Sequence, residues 1–132
     1  AFREAIRQRR CLVLASGFYE WSAGPEGARL PWYITRSDGA PMALGGLWQA
    51  WGDLVTCAVV TLNAGPNLEP IHDREPLILN PDQWPLWLGE AGHGAARLMQ
   101  PTPAGSLVAR RVGRAVNSNR ADGQQLIEEN AD

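Results

Sequence analysis

The chain has 132 residues, of which 45% are hydrophobic and 20% charged, and its formal net charge at pH 7 is −2. These values are typical of one soluble globular domain with its own core, and the slightly acidic balance argues against a general polyanion binder. No apolar run approaches the roughly eighteen residues of a membrane span. Residues 1–10 are charged and do not resemble a signal peptide, so we expect a soluble cytoplasmic protein without a membrane partner.

The first third of the chain reads as a helix followed by short strands. Residues 1–10 have helical spacing, and 11–15 form an apolar run typical of a buried strand. A second extended piece covers 17–21. The Gly-, Ala- and Pro-rich stretch 22–30 is predicted as a loop, and 31–36 as the next strand.

The middle of the chain continues this pattern of strands and turns. A turn is predicted at 37–39, and the apolar stretch 42–51 contains Gly45-Gly46, which permits a bulge or a close backbone approach. Another turn at Gly52-Asp53 leads into 54–62, which we predict to be the best-defined buried strand.

The rest of the chain mixes loops with short elements. Residues 63–74 form a polar loop, 76–79 return to strand, and 80–87 carry a helix with the cap pattern Asn-Pro-Asp-Gln. A second short helix is expected within 91–100 and a last strand over 107–116. The predicted class is α+β, a mainly antiparallel β meander or barrel-like sheet with a few peripheral helices, and residues 1–132 form a single domain.

The segment Gly17-Phe18-Tyr19-Glu20-Trp21 carries the first candidate site residues. Most of the six tryptophans are expected in the core, whereas Trp21 is the one we assign to a site because it adjoins Glu20. Neighbouring strand residues point to opposite faces, so only a bulge or a strand end would bring both into one pocket. Glu20, among aromatics, suits general acid/base chemistry. The alternative is a strand-end carboxylate that faces water.

His72 and Arg74, two residues apart, form the second candidate group. On an extended segment they share a face, where His72 could move a proton while Arg74 holds a phosphate. The alternative is a surface loop with a local ion pair. All basic side chains are Arg, which suits phosphate binding, although genome base composition explains this equally well.

The sequence predicts no metal site and no cofactor. Its two histidines and two cysteines lack the spacing of a zinc site, and no glycine-rich phosphate loop is present. Cys11 and Cys57 lie in apolar runs and are expected to be buried free thiols.

Six segments, in this order, resemble the SRAP domain family over nearly the whole chain. They are Arg9-Arg10-Cys11-Leu12, Gly17-Phe18-Tyr19-Glu20-Trp21, Leu44-Gly45-Gly46-Leu47-Trp48, Thr56-Cys57 through Thr61, Ile71-His72-Asp73-Arg74 with Pro76, and Val116-Asn117-Ser118 with Asp122-Gly123.

The resemblance implies a protein of the DNA damage (SOS) response that binds abasic sites in single-stranded DNA and links to them covalently. In the family, the initiator Met is removed autoproteolytically, and the exposed N-terminal Cys forms a thiazolidine with the open sugar aldehyde. By motif, Glu20 manages protons on the nucleophile and His72 assists sugar opening. Arg74 and Thr61 hold phosphates, and Trp21 stacks beside the lesion. A monomer is expected, nucleoid-associated if the host is bacterial.

The chain departs from the family pattern at its start. It begins Ala1-Phe2-Arg3, so the family's Met-Cys-Gly-Arg segment is missing, and we expect an N-terminally incomplete domain that exposes strand edges and forms no thiazolidine by itself. Two other functions stay open. One is a noncatalytic single-strand-binding module, and the other is a thiol hydrolase built on Cys57 and His72, which requires an exposed Cys57.

Overall fold

The computed structural model describes residues 2–130, in which short antiparallel strands dominate. The elements are α1 (Phe2–Gln8), β1 (Arg10–Ala15), β2 (Phe18–Ala23), β3 (Arg29–Arg36), β4 (Met42–Trp51), β5 (Leu54–Val59), β6 (Thr61–Asn63), β7 (Arg74–Pro76), β8 (Ile78–Leu79), α2 (Trp84–Trp87) and β9 (Leu107–Arg111). Single 3₁₀ turns cover Pro25–Gly27, Pro81–Gln83, Ala95–Leu98, Arg114–Asn117 and Gln124–Ile127.

The strands form three sheets, and every pairing is antiparallel. One sheet has the order β1-β4-β5 with β8 also paired to β4, the second has the order β2-β3-β9, and the third pairs β6 with β7. The α+β prediction is confirmed. Within the described residues, none of the sheets closes on itself into a barrel.

The two adjacent glycines of β4 allow close packing, not a bulge. The β1–β4 register is regular through Gly45 and Gly46, which pair with Leu12 and Cys11. A Cβ on Gly45 would lie 2.6 Å from Leu77 Cδ2, and one on Gly46 would lie 3.0 Å from Cys11 Sγ. Of the two predicted roles for this pair, close approach is therefore the correct one.

The main core lies between β4 and the two helices. Leu77 and Trp87 are fully buried there, together with Leu47 and Ala5. Arg10 joins the helices around this core, since its guanidinium donates to the carbonyls of residues 6 and 7 in α1 and of Trp87 in α2. This arginine therefore has a structural role.

The prediction of a buried strand over 54–62 is wrong. The side chains of Leu54 and Val55 are 61% and 65% exposed, and all six residues of β5 are exposed. The described residues pair β5 on one edge only and leave its side chains uncovered, so apolar character alone did not indicate burial. At Val60 the chain leaves this sheet, bonding to Gly45 and Leu77, before β6 begins.

Two other predicted elements are shorter than expected. Residues 91–100 contain only the turn Ala95–Leu98, because Gly92 and Gly94 adopt positive φ angles of 95° and 115° that interrupt a helix. The last strand ends at Arg111 and not at 116, where the turn Arg114–Asn117 has replaced it. The capped helix at 80–87 is confirmed as a 3₁₀ turn that continues into α2. Within residues 2–130, no helix combines the length and apolar character needed to cross a membrane.

Candidate functional site

The edge strand β2 carries the first two candidate residues. Its aromatic sequence favours an extended conformation, and its register with β3 is regular, with Glu20 opposite Trp32 and Trp21 opposite Pro31. Glu20 and Trp21 therefore point to opposite faces of the strand, and no bulge brings them together.

Glu20 faces a histidine from a distant loop. Its Oε1 lies 3.6 Å from Nε2 of His72, and the two side chains are 21% and 38% exposed. The same Oε1 lies 3.3 Å from the backbone N–H of Trp21, so the carboxylate folds over the edge of β2 that no strand of residues 2–130 pairs with. A carboxylate and an imidazole, side chains of the kind used in acid/base chemistry, are thus held together where a ligand can reach them.

His72 has a partner on Nδ1 in either protonation state. In the neutral ring, Nδ1 accepts the backbone N–H of Arg74 at 3.1 Å, which leaves the proton on Nε2, facing Glu20. In the charged ring, Nδ1–H faces the Arg74 carbonyl at 3.2 Å and the Asp73 carboxylate at 3.4 Å. Nδ1 therefore has a hydrogen-bond partner whichever ring nitrogen carries the proton. His72 lies in the loop before β7 and outside any strand, so the extended segment expected to put it on one face with Arg74 is not formed.

A buried carboxylate anchors the loop that carries His72. Glu75 is 1% exposed, and its Oε1 accepts the N–H of Gly65 at 2.5 Å. Its Oε2 accepts the backbone N–H of Thr102 at 3.2 Å and the hydroxyl of the same residue at 3.1 Å. The loop is closed further by the bond from His72 N to the Leu68 carbonyl, so the position of the imidazole is fixed by its own segment.

Arg74 and Thr61, both assigned to phosphate binding by the family resemblance, lie in contact with each other. The guanidinium donates to the carbonyl of Thr61 at 2.8 Å and to its hydroxyl at 3.1 Å, and the β6–β7 pairing adds Asn63 Oδ1 at 2.8 Å. Arg74 and Thr61 are exposed residues. This cation is therefore oriented by neutral acceptors beside His72, which suits contact with an anionic ligand.

Trp21 lies apart from these four residues, on the other face of β2. Its Nε1–H donates to Oδ1 of Asn117 at 2.6 Å, and the guanidinium of Arg29 lies 5.3 Å from the ring centroid. The structure thus brings Glu20 to His72 and Arg74 to Thr61, while Trp21 belongs to a neighbouring surface.

Both cysteines are free, and neither is fully buried as the sequence predicted. Cys11 is half-buried, and burial raises the pKa of its thiol, with the nearby Cys57 as a second cause. Cys57 is exposed, which contradicts the predicted buried position. The thiol hydrolase alternative needs that exposure, but the described contacts of His72 run to Glu20, Asp73 and Arg74 and not to Cys57. In residues 2–130 no group of three or more His, Cys, Asp or Glu side chains could hold a metal ion.

Comparison with known families shows to which family the chain belongs. The model of the family described as SOS response associated peptidase (SRAP) matches residues 1–119. The chain belongs to the SRAP family.

Named relatives agree with the SRAP assignment. The abasic site processing protein YoqW of Bacillus subtilis is 30% identical over 136 residues, covering 97% of this chain and 61% of YoqW. The abasic site processing protein YedK of Escherichia coli is 27% identical, covering 96% and 60%. A crystal structure from Bacteroides thetaiotaomicron has the same fold, with a TM-score of 0.86 and 22% identity over 98% of this chain and 60% of that one. The chain therefore spans about three fifths of these relatives.

Three residues in or beside this candidate site were not assigned a role from the sequence. Asn63 follows an apolar run, Glu75 sits between Arg74 and a buried Pro-Leu-Ile-Leu stretch, and Asn117 belongs to a family-like motif. The clearest indication from the sequence is for Glu75, because a charged residue next to a buried strand needs hydrogen-bond partners. The partners themselves, Gly65 and Thr102, are distant in sequence.

Proposed function

We propose that this chain is the single-stranded-DNA-binding body of an abasic site processing protein, with Glu20 and His72 as its acid/base pair. The observation that carries the proposal is the 3.6 Å approach of Glu20 Oε1 to His72 Nε2 beside the Arg74–Thr61 contact. Support comes from the SRAP match and from relatives that are named abasic site processing proteins.

The pair suits the chemistry of an abasic sugar. Opening the sugar hemiacetal takes a proton from its hydroxyl and returns one to the ring oxygen, which His72 and Glu20 can exchange. The aldehyde then condenses with an amine, and water leaves as an imine forms. Addition of the neighbouring thiol to the imine carbon gives a thiazolidine, with one water lost in total.

The nucleophile in this proposal is an aminothiol at a chain terminus. Cys11 and Cys57 lie inside β1 and β5, so neither has a free α-amine. We assign the role to an N-terminal Cys of the SRAP type, since neither internal cysteine can fill it. Without it, the chain binds the strand and forms no stable adduct.

DNA contacts come from the residues around the pair. Arg74, oriented by Thr61 and Asn63, binds a backbone phosphate, and Trp21 stacks with a base or sugar near the lesion. With a net charge of −2, affinity depends on the local arrangement of arginines and not on overall charge.

The test compares three proteins on a single-stranded oligonucleotide with one abasic site. They are the 132-residue chain, the same chain with an N-terminal Met-Cys-Gly-Arg segment, and the same chain with an N-terminal Met-Ser-Gly-Arg segment. We expect a denaturation-resistant band only for the Met-Cys form, with a mass equal to the protein after removal of its initiator Met plus DNA minus one water. An adduct with the Met-Ser form would overturn the nucleophile assignment, and no adduct with any form would overturn the covalent proposal.

A noncatalytic strand-binding module remains the second candidate. It is favoured by the internal position of both cysteines and by the Arg29–Trp21 stack, which needs no lesion. Equal affinity of the printed chain for intact and abasic strands, together with no adduct from the Met-Cys form, would support it.

A further inference from the structure

Asn117 connects the ring of Trp21 to the neighbouring strand. Its Oδ1 accepts the indole N–H of Trp21 at 2.6 Å, and its Nδ2 donates to the backbone carbonyl of Arg29 at 3.1 Å. The amide orientation follows from chemistry, because an indole N–H can only donate and a carbonyl can only accept. Asn117 thus fixes the edge of the indole relative to β2 and β3.

Arg29 completes this cluster from above the ring. Its guanidinium lies 5.3 Å from the Trp21 ring centroid, and the β2–β3 register pairs Ala23 with Arg29, which puts Arg29 and Trp21 on one face. Tyr19 shares that face, with its ring centroid 6.3 Å from that of Trp21. The register of β3 with β9 adds Arg110, opposite Tyr33.

This combination of groups matches what a nucleotide requires. Aromatic faces stack with bases and arginines bind phosphates, which is how single strands are bound without sequence preference. Arg29 and Asn117 are exposed, so the cluster is accessible and does not serve to fill a core. An indole held in place before binding loses less conformational freedom when the strand arrives.

We propose that Asn117 is a positioning residue for Trp21 and that Arg29 binds a phosphate of the same DNA strand. The proposal rests on the proposed function and adds a subsite for the nucleotide next to the one at Glu20. Within residues 2–130, β2 pairs with another strand on one side only, so a DNA strand that crosses its other edge reaches Glu20 on one face and Trp21 on the other. The carboxylate of Glu20 lies at this edge, where its Oε1 accepts a hydrogen bond from the backbone N–H of Trp21.

The test for Asn117 is a double-mutant cycle on the printed chain. Binding of a fluorescent, intact single-stranded oligonucleotide is measured for wild type, Asn117→Ala, Trp21→Phe and the double variant. We expect Asn117→Ala to weaken binding about fivefold, in the range of one lost hydrogen bond. In the Trp21→Phe background, where no indole N–H exists, Asn117→Ala should have no further effect. An equal effect in both backgrounds would overturn the positioning role.

Arg29 is tested through the dependence of affinity on salt. Arg29→Gln should lower the slope of log affinity against log salt by about 0.7, the value for one single-strand phosphate contact. Arg97→Gln is the matched control, since Arg97 is an exposed arginine of the Ala95–Leu98 turn, and its slope should equal that of wild type. A wild-type slope for Arg29→Gln would overturn the phosphate contact.

The NMR signal of the Trp21 indole N–H tests the role of Asn117 without DNA. Trp21→Phe identifies the Trp21 signal among those of the six tryptophans, and Asn117→Ala should shift that signal and leave the others in place. Loss of dispersion in all six signals would mean that Asn117 serves the fold and would overturn its role at Trp21. If the wild-type chain binds neither intact nor abasic strands, both the proposed function and this inference are wrong. If wild type binds and the variants match it, only this inference fails.

Discussion

The carboxylate of Glu20 meets the imidazole of His72 at 3.6 Å, although one lies on an edge strand and the other in a loop far along the chain. The imidazole is held by the Arg74 backbone, and the loop behind it is anchored by buried Glu75. The position of the pair therefore depends on contacts that surround it, and each can be tested separately.

Replacement of Glu20 tests the acid/base assignment. In the Met-Cys-extended chain, Glu20→Gln keeps the shape of the side chain and removes its capacity to exchange a proton. We expect cross-linking to an abasic strand to slow by about 10²-fold or more, the usual contribution of general acid/base catalysis. The measurement is a time course on denaturing gels, with exposed Glu69→Gln as the control. A Glu20→Gln rate equal to that of the control would contradict the assignment.

Thr61 tests whether the orientation of Arg74 matters for DNA binding. Thr61→Val removes the hydroxyl that accepts from Arg74 at 3.1 Å and keeps the β-branched shape. We expect affinity for an intact single strand to fall about threefold, because one exposed hydrogen bond is lost. Thr61→Ser, which retains the hydroxyl, is the matched control and should bind like wild type. If both variants lose the same affinity, packing at position 61 and not the hydroxyl is responsible.

Buried Glu75 is predicted to be a determinant of stability. Glu75→Ala leaves the backbone N–H groups of Gly65 and Thr102 without their acceptor. We expect the free energy of unfolding, measured by urea titration, to fall by about 3 kcal/mol, since hydrogen bonds to a buried carboxylate are lost. Glu75→Gln retains one acceptor oxygen and should cost about half as much.

A control for Glu75 comes from the same loop. Glu69 is exposed, so Glu69→Ala should change the free energy of unfolding by less than about 0.5 kcal/mol. A Glu75→Ala protein as stable as Glu69→Ala would mean that water replaces the carboxylate and that the loop needs no anchor.

The two cysteines should differ in their rates of alkylation. Burial raises the pKa of the Cys11 thiol, so at neutral pH it supplies less of the reactive thiolate, while Cys57 is exposed on β5. We expect iodoacetamide at pH 7 to modify Cys57 first, as followed by mass spectrometry of peptides. Raising the pH should increase labelling of Cys11, because a raised pKa moves thiolate formation to higher pH. Faster labelling of Cys11 at pH 7 would contradict the exposure of β5.

The sequence alone determined the local features of this protein. Apolar runs and turn residues predicted most strands, the pattern Asn-Pro-Asp-Gln predicted a helix start, and the motifs around Glu20 and His72 indicated the family. These features depend on residues that are close together in the sequence, so a short segment is enough to predict them.

Tertiary structure decided burial, faces and partners. The apolar sequence of residues 54–59 predicts a buried strand, but all six residues are exposed. Whether a strand is buried depends on what packs against it. Glu20 and Trp21 are adjacent in sequence, yet they point to opposite faces and meet His72 and Asn117 from distant segments. Contacts between residues far apart in the chain depend on sheet order and loop position, which no local pattern specifies.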